Sequence, residues 1–341
     1  MRLLRALIIL LIAIAVILIA VLAGGSLFSL DWNHRHRAQT AVLPLLDANT
    51  HNGIVRIGAN GLEFRARVAG LDNTGPGVVL LHGFPETSLM WNPLIELLAD
   101  QGYRVVAFDQ RGYSPGARPD GAAAYTLPQL VDDVFAVAQA AGMQQFHLVG
   151  HDWGAAVGWA AVMSRPESIS SWTSLSIPHI AAFGDALANN DDQRQRSRYM
   201  AFFRMPLLPE AMFTFNHLKM MNEVMYREMS DAQRVEYAAV FSEPGALTAA
   251  LNWYRAPDGF NVAVAPKVRL PILFIWGNRD PAVSRYAVES QRNFIEGPFD
   301  YNELNAGHWL MEEATDKVDS TILSFLRDVD QKAAANQAET P

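Results

Sequence analysis

From about residue 50 onward the chain carries its apolar residues in short runs separated by turn formers, and the spacing within each run predicts its element. Gly53 to Ile57 and Leu62 to Val68 alternate apolar and polar positions, the period of half-buried strands, with Asn60-Gly61 as a hairpin turn signal between them. Further on, the runs become continuously apolar and are bounded by Gly, Asp or Pro: Val78 to Leu81, Arg104 to Phe108, Phe146 to Val149, Trp172 to Ile177 and Ile272 to Trp276. Strands buried on both faces have this composition. Segments of helical length, Pro93 to Asp100, Leu127 to Ala141 and Ala155 to Ser164, follow the early runs. The rhythm predicts an α/β architecture with a doubly wound, mostly parallel sheet and functional loops at the carboxyl ends of its strands.

After Pro178 that rhythm stops. Residues 179–266 hold no convincing buried strand and carry Phe, Met, Arg and Glu at helical spacings, which predicts an inserted helical cap. The core is thereby divided into residues 51–178 and 267–328. A closing helix is expected from Thr315 to Asp328, ahead of a polar, alanine-rich tail, 329–341, that should fray. No internal repeat is visible.

The opposite terminus has a different pattern. Behind Met1-Arg2-Leu3-Leu4-Arg5, the run Ala6 to Ala23 is apolar and free of charge. Its length suits a bilayer-spanning helix of about 17–25 residues. Val21-Leu22-Ala23 resembles a signal-peptide cleavage site, but the apolar core of such a peptide is only about 7–15 residues. Residues 1–30 are therefore read as a retained single-pass anchor that meets lipid through residues 6–23, with a juxtamembrane segment at 31–50. Arg2 and Arg5 precede the span and Arg35 and Arg37 follow it, so the charge bias is slight; it places the folded domain on the extracytoplasmic side. Two imidazoles among arginines in Asn33-His34-Arg35-His36-Arg37 read as a flank facing lipid headgroups rather than a metal site.

Composition narrows the chemistry. Half of the 341 residues are apolar, ample for a large core, and the net charge of −8 offers no footprint for nucleic acid. The absence of cysteine excludes disulfides, thiolate metal sites and thiol catalysis.

Gly150-His151-Asp152-Trp153-Gly154 joins the run Phe146 to Val149 to the helical stretch from Ala155. The pattern Gly-x-nucleophile-x-Gly between strand and helix is a nucleophile elbow, a turn so tight that its flanks must be glycine. With a carboxylate at its centre, attack on an electrophilic carbon gives an ester on Asp152 that water must cleave. The competing reading of Asp152 is a helix N-cap. Asp280 ends the buried run Ile272 to Trp276 and its loop, and His308 follows in Asn305-Ala306-Gly307-His308-Trp309. Nucleophile, acid, histidine is the chain order of α/β-hydrolase triads. His308 would take the proton from water, and Asp280 would hold its tautomer. His82-Gly83-Phe84-Pro85 occupies the place of the oxyanion loop, so the backbone amides of Phe84 and Trp153 are the expected oxyanion donors. Asp109 is expected to orient its loop through Arg111. His147, His151, His179 and His217 lack the acid partner and strand-end position of His308.

Together His82-Gly83-Phe84-Pro85, Gly150-His151-Asp152-Trp153-Gly154, Asn278-Arg279-Asp280 and Gly307-His308-Trp309 resemble the α/β-hydrolase-fold epoxide hydrolases, over about Gly53 to Asp328. The anchor ahead of them resembles the membrane-bound branch of that family. The resemblance implies opening of a small apolar epoxide to a vicinal diol through an aspartyl ester hydrolysed by histidine-activated water, with no cofactor and no metal. It also implies two cap tyrosines that hydrogen-bond the epoxide oxygen: Tyr254 in Asn252-Trp253-Tyr254-Arg255, and Tyr199 in Ser197-Arg198-Tyr199-Met200-Ala201-Phe202-Phe203 ahead of Pro206-Leu207-Leu208-Pro209-Glu210. Gly112-Tyr113-Ser114 departs from the Gly-Tyr-Gly-x-Ser usual in the family, which loosens the substrate class more than the mechanism.

Two other functions stay open on the sequence. Haloalkane dehalogenases use the same acid, histidine and nucleophile, with a tryptophan at the place of Trp153 to hold halide, though they usually carry Asn where Phe84 stands and need no tyrosine pair. Fluoroacetate dehalogenases usually place Arg after the nucleophile. A membrane-tethered binding protein of the same fold is the non-catalytic alternative. Phe183, Phe202, Phe203, Phe213 and Phe215 fit either an apolar site or cap packing.

Overall fold

The computed structural model describes residues 2–36, 43–257 and 266–338. The strands are β1 (Gly53–Ala59), β2 (Leu62–Ala69), β3 (Gly77–Leu81), β4 (Arg104–Phe108), β5 (Phe146–His151), β6 (Ile169–Leu175), β7 (Ile272–Gly277) and β8 (Phe299–Leu304). They form one sheet in the order β1-β2-β4-β3-β5-β6-β7-β8. The hairpin β1-β2 joins β4 antiparallel, and every other pairing is parallel. This is the doubly wound sheet of the α/β-hydrolase fold. The sequence reading lacks β8, whose residues Phe-Asp-Tyr-Asn-Glu-Leu are partly or fully exposed at the sheet edge and so carry no buried apolar run.

The amino-terminal and core helices are α1 (Arg2–His36), α2 (Asn92–Asp100), α3 (Leu127–Ala140) and α4 (Trp153–Ser164). Among the described residues, six cap helices follow between β6 and β7: α5 (Ile180–Asn189), α6 (Asp191–Arg196), α7 (Arg198–Phe203), α8 (Leu208–Met220), α9 (Asp231–Phe241) and α10 (Ala246–Arg255). The chain closes with α11 (Arg285–Ser290), α12 (Leu310–Glu313) and α13 (Thr315–Ala338).

Strand periodicity divides the core into two layers. In β3, Val79 and Leu81 face α3 and α4, packing with Val134, Val137 and Trp159, whereas Val78 and Leu80 face α2 and α13, packing with Leu94, Leu98 and Ile322. Helix α4 lies so close to the sheet that a Cβ on Gly158 would come within 2.0 Å of the Trp172 ring. Only glycine permits that approach.

Polar contacts fasten the cap to the core. Glu236 of α9 accepts from Arg65, Arg67 and Thr87, Trp253 Nε1 donates to Arg111 O at 2.8 Å, and the Tyr226 hydroxyl donates to Pro85 O at 3.0 Å.

At the amino end, α1 is a single helix of 35 residues, so the segment expected as juxtamembrane begins as helix through His36. Its stretch Leu7–Gly24, of mean hydropathy 3.4, has no buried residue and is long and apolar enough to cross a membrane. The same helix packs against α8. Arg37 lies outside the described residues, as do the side chains of Asn33 to His36. At the carboxyl end α13 continues to Ala338, so the tail expected to fray is helical that far; helix formers such as Ala333 to Ala335 extend the last turn. Residues 339–341 lie outside the described residues.

Candidate active site

Four loops at the carboxyl ends of parallel strands converge beneath the cap: that of Phe84 after β3, the elbow after β5, and the loops of Asp280 after β7 and His308 after β8. Asp152 has φ 50° and ψ −121°, a conformation that L side chains rarely adopt and that the tight turn imposes. Both flanks require glycine. A Cβ on Gly150 would lie 2.6 Å from Gly154 O, and one on Gly154 would lie 2.2 Å from Leu81 O. Asp152 makes no side-chain capping bond to α4. Its Oδ1 instead accepts the Phe84 amide at 2.9 Å, which removes the N-cap reading.

His308 Nδ1 meets Asp280 Oδ2 at 2.8 Å, and His308 Nε2 lies 3.5 Å from Asp152 Oδ2. Asp280 is itself oriented, since its Oδ1 accepts the amides of Ala282 at 2.7 Å and Val283 at 3.1 Å. Burial disfavours charge on His308, but the carboxylates of Asp280 and Asp152 overcome it and hold the imidazole well above the usual histidine range. Burial likewise works against the Asp152 carboxylate. The hydrogen bond and charge of His308, with the Phe84 amide, nevertheless keep it below its ordinary value.

Asp152 opens onto a pocket shared with Trp153, Tyr199, Tyr254, Ile177 and Phe183. Tyr199 comes from α7 and Tyr254 from α10, and their ring centroids lie 6.4 Å apart. Burial raises both phenols, and neighbouring anionic groups raise them further, so both remain protonated. Tyr254 stands edge-on to Trp153 at 5.0 Å and to Phe84 at 5.8 Å. Of the five phenylalanines singled out in the sequence, Phe183 lines the pocket, Phe202, Phe203 and Phe213 pack on one another, and Phe215 is exposed.

Three expectations about polar residues are corrected. Asp109 is engaged with Ser88 and Arg65, while Arg111 pairs with Asp133 at 2.7 Å, because the side chain of Arg111 turns toward α3. His147 and His151 do have acid partners, Asp330 at 3.0 Å and Glu86 at 3.1 Å. Those partners arrive from other elements, so local sequence gives no sign of them. The side chain of His217 lies outside the described residues.

Sequence reasoning also passed over the residues behind the triad. His151 Nε2 donates to His308 O at 2.9 Å, and the Ser176 hydroxyl donates to the same oxygen at 3.1 Å. Glu86 is fully buried against His151. The sequence signals available were that Glu86 directly follows the His82-Gly83-Phe84-Pro85 segment and that His151 neighbours Asp152.

Comparison with known proteins agrees with this fold. The α/β hydrolase fold family matches residues 76–315. The AB hydrolase superfamily protein YfhM of Bacillus subtilis is 34% identical over 80% of this chain and 96% of its own length. Epoxide hydrolase 4 of Mus musculus is 30% identical over 80% of this chain and 79% of its own. Among solved structures, an epoxide hydrolase from metagenomes of hot environments superposes with a TM-score of 0.71 at 28% identity, covering 81% of this chain and 99% of that one. The chain belongs to the α/β-hydrolase family, among its epoxide hydrolases.

Proposed function

We propose that the protein hydrolyses an apolar epoxide to a vicinal diol through an ester on Asp152. The observation that carries this reading is a carboxylate at the elbow, pinned by the Phe84 amide, opening onto a pocket that two protonated tyrosines share, with an acid-paired imidazole behind it. The names of the relatives above support the epoxide class over the haloalkane alternative, and so does the tyrosine pair, which a halide leaving group does not need.

In the first step an Asp152 oxygen attacks an epoxide carbon, the carbon–oxygen bond breaks, and Tyr199 or Tyr254 donates its proton to the departing alkoxide. Esterification removes the charge of Asp152, and with it one of the two carboxylates that held the proton on His308. The imidazolium gives that proton up, restoring the phenol, and becomes the neutral base the second step requires. His308 then takes a proton from water attacking the ester carbonyl, while the amides of Phe84 and Trp153 face the oxyanion. Collapse of the tetrahedral intermediate releases the diol, regenerates the Asp152 carboxylate with one solvent oxygen in it, and leaves His308 protonated as at the start. Asp280 keeps Nδ1 protonated throughout, so that Nε2 faces the water.

The span Leu7–Gly24 is assigned as a retained membrane anchor, with the catalytic domain on the extracytoplasmic side.

A single turnover in heavy-oxygen water tests the chemistry. The first diol should carry an unlabelled oxygen drawn from Asp152, and the peptide containing Asp152 should gain the label. Solvent label entering the diol directly, with none in the enzyme, overturns the ester scheme.

A further inference from the structure

Tyr199 and Tyr254 share the pocket but come from separate helices, so nothing in the local chain sets the distance between them. Helices of six and ten residues are also too short to hold their own orientation. The carbonyls of a helix's last turn have no partner inside it. At the carboxyl ends of α7 and α10, one such carbonyl on each helix accepts from an arginine at the end of the other. Arg204, which caps α7, donates from Nε to Tyr254 O of α10 at 3.0 Å. Arg255, the last residue of α10, donates from Nε to Phe203 O of α7 at 3.1 Å. The guanidinium of Arg255 reaches further: Nη2 donates to Met205 O at 2.7 Å, and Nη1 and Nη2 meet the Glu210 carboxylate, in the first turn of α8, at 2.6 and 3.0 Å. Cations at the carboxyl ends also suit the helix dipoles.

The two bonded carbonyls belong to residues that shape the phenol pair. Tyr254 is itself one of the phenols. Phe203 stands edge-on to both, with its ring centroid 5.2 Å from Tyr199 and 5.0 Å from Tyr254, while the phenols lie 6.4 Å apart. Such a wedge alone sets only a minimum separation. The arginine ties oppose sliding or spreading of α7 against α10, since either motion lengthens two N–H···O contacts that now lie at ordinary hydrogen-bond distance. A guanidinium suits this use because its donors form a rigid planar fork.

We infer that Arg204 and Arg255 form a reciprocal brace that fixes the separation of Tyr199 and Tyr254, so that both hydroxyls reach one epoxide oxygen. Both arginines act through the tyrosines and are positioning residues, so the brace matters to catalysis only on the proposed role of that pair. Its effect falls on one half of the cycle. Ring opening needs both donors on the same oxygen, whereas ester hydrolysis draws on His308, Asp280 and backbone amides held by the core loops.

That division separates positioning from ordinary packing. Arg204 is exposed, so Arg204→Met removes one tie at little cost to folding. In full-length protein mixed with styrene oxide and quenched at set times, ester formation on Asp152 should slow about ten-fold or more, because a misplacement of about 1 Å costs about 10²-fold. Hydrolysis of the ester should stay within about two-fold of the wild-type rate. Arg204→Lys, which keeps one donor for Tyr254 O, should recover most of the loss. In a Tyr199→Phe background there is no pair left to space, so adding Arg204→Met should slow ester formation by less than about two-fold more. Unchanged ester formation in Arg204→Met overturns the brace, as does equal slowing of both half-reactions or the full further loss in the Tyr199→Phe background. A crystal structure of Arg204→Met reads the spacing without turnover. Phenol centroids still 6.4 Å apart refute the brace, and a wider pair supports it. Wild-type protein that forms no ester on Asp152 would instead remove the proposed function, and the crystal structure would still decide whether the arginines set the spacing.

Discussion

Changing His308 to glutamine should turn the enzyme into a trap for its own intermediate. In the proposed scheme the attacking oxygen belongs to Asp152, whose Oδ1 stays on the Phe84 amide without the histidine, so ring opening survives. Ester cleavage does not, because the imidazole that lies 3.5 Å from Asp152 Oδ2 is lost. General-base catalysis is worth about 10²–10⁴ in rate. Against a typical turnover of about 10 s⁻¹, the ester should live about 10–1000 s instead of a fraction of a second. The substitution also has a cost in the first step. Burial raises the proton affinity of Asp152, and His308 supplies the largest opposing effects, so the carboxyl group must rise when His308 is gone. The nucleophile is the ionised form, and ester formation in the variant should therefore accelerate with increasing pH until Asp152 is fully ionised. The assay is acid quenching at set times after mixing with an epoxide, followed by peptide mass spectrometry for one substrate equivalent on the peptide containing Asp152. No adduct there, while wild-type protein turns the same epoxide over, refutes the two-step scheme; so does an adduct that decays at the wild-type rate.

Two further outcomes are expected. Tyr254→Phe or Tyr199→Phe should slow ring opening about 10²-fold, and the double variant should abolish it, since loss of one donor to a developing oxyanion costs about 10²–10³; single-turnover ester formation measures this, and full activity of the double variant would remove the tyrosines from the mechanism. Full-length protein should stay with membranes through alkaline carbonate washing because of Leu7–Gly24, and its release into the wash would remove the anchor.

What the sequence made legible follows from what was local. Continuous apolar runs such as Val78 to Leu81 announce a strand buried on both faces, and the elbow announces itself because a Cβ at either glycine collides with backbone. Strand β8 escaped because an edge strand buries too little to leave a run. The contact of His308 with Asp280 was legible through chain order, whereas that of His151 with Glu86 was not, since it crosses 65 residues and no motif joins them. Asp109 gave a misleading signal for the same reason. Its partners Arg65 and Ser88 come from distant positions, whereas the nearby Arg111 turns to Asp133.

Insertion of the cap between β6 and β7 puts the phenols on one body and the carboxylate with its histidine on another. On the proposed assignment, recognition and opening of the ring are encoded in a separable stretch of chain, and release of product is encoded in the sheet. Exchange of that stretch between relatives is therefore a route to new substrate preference that leaves the hydrolytic half of the cycle unchanged, provided Gln233 and Glu236 keep their seats on the core.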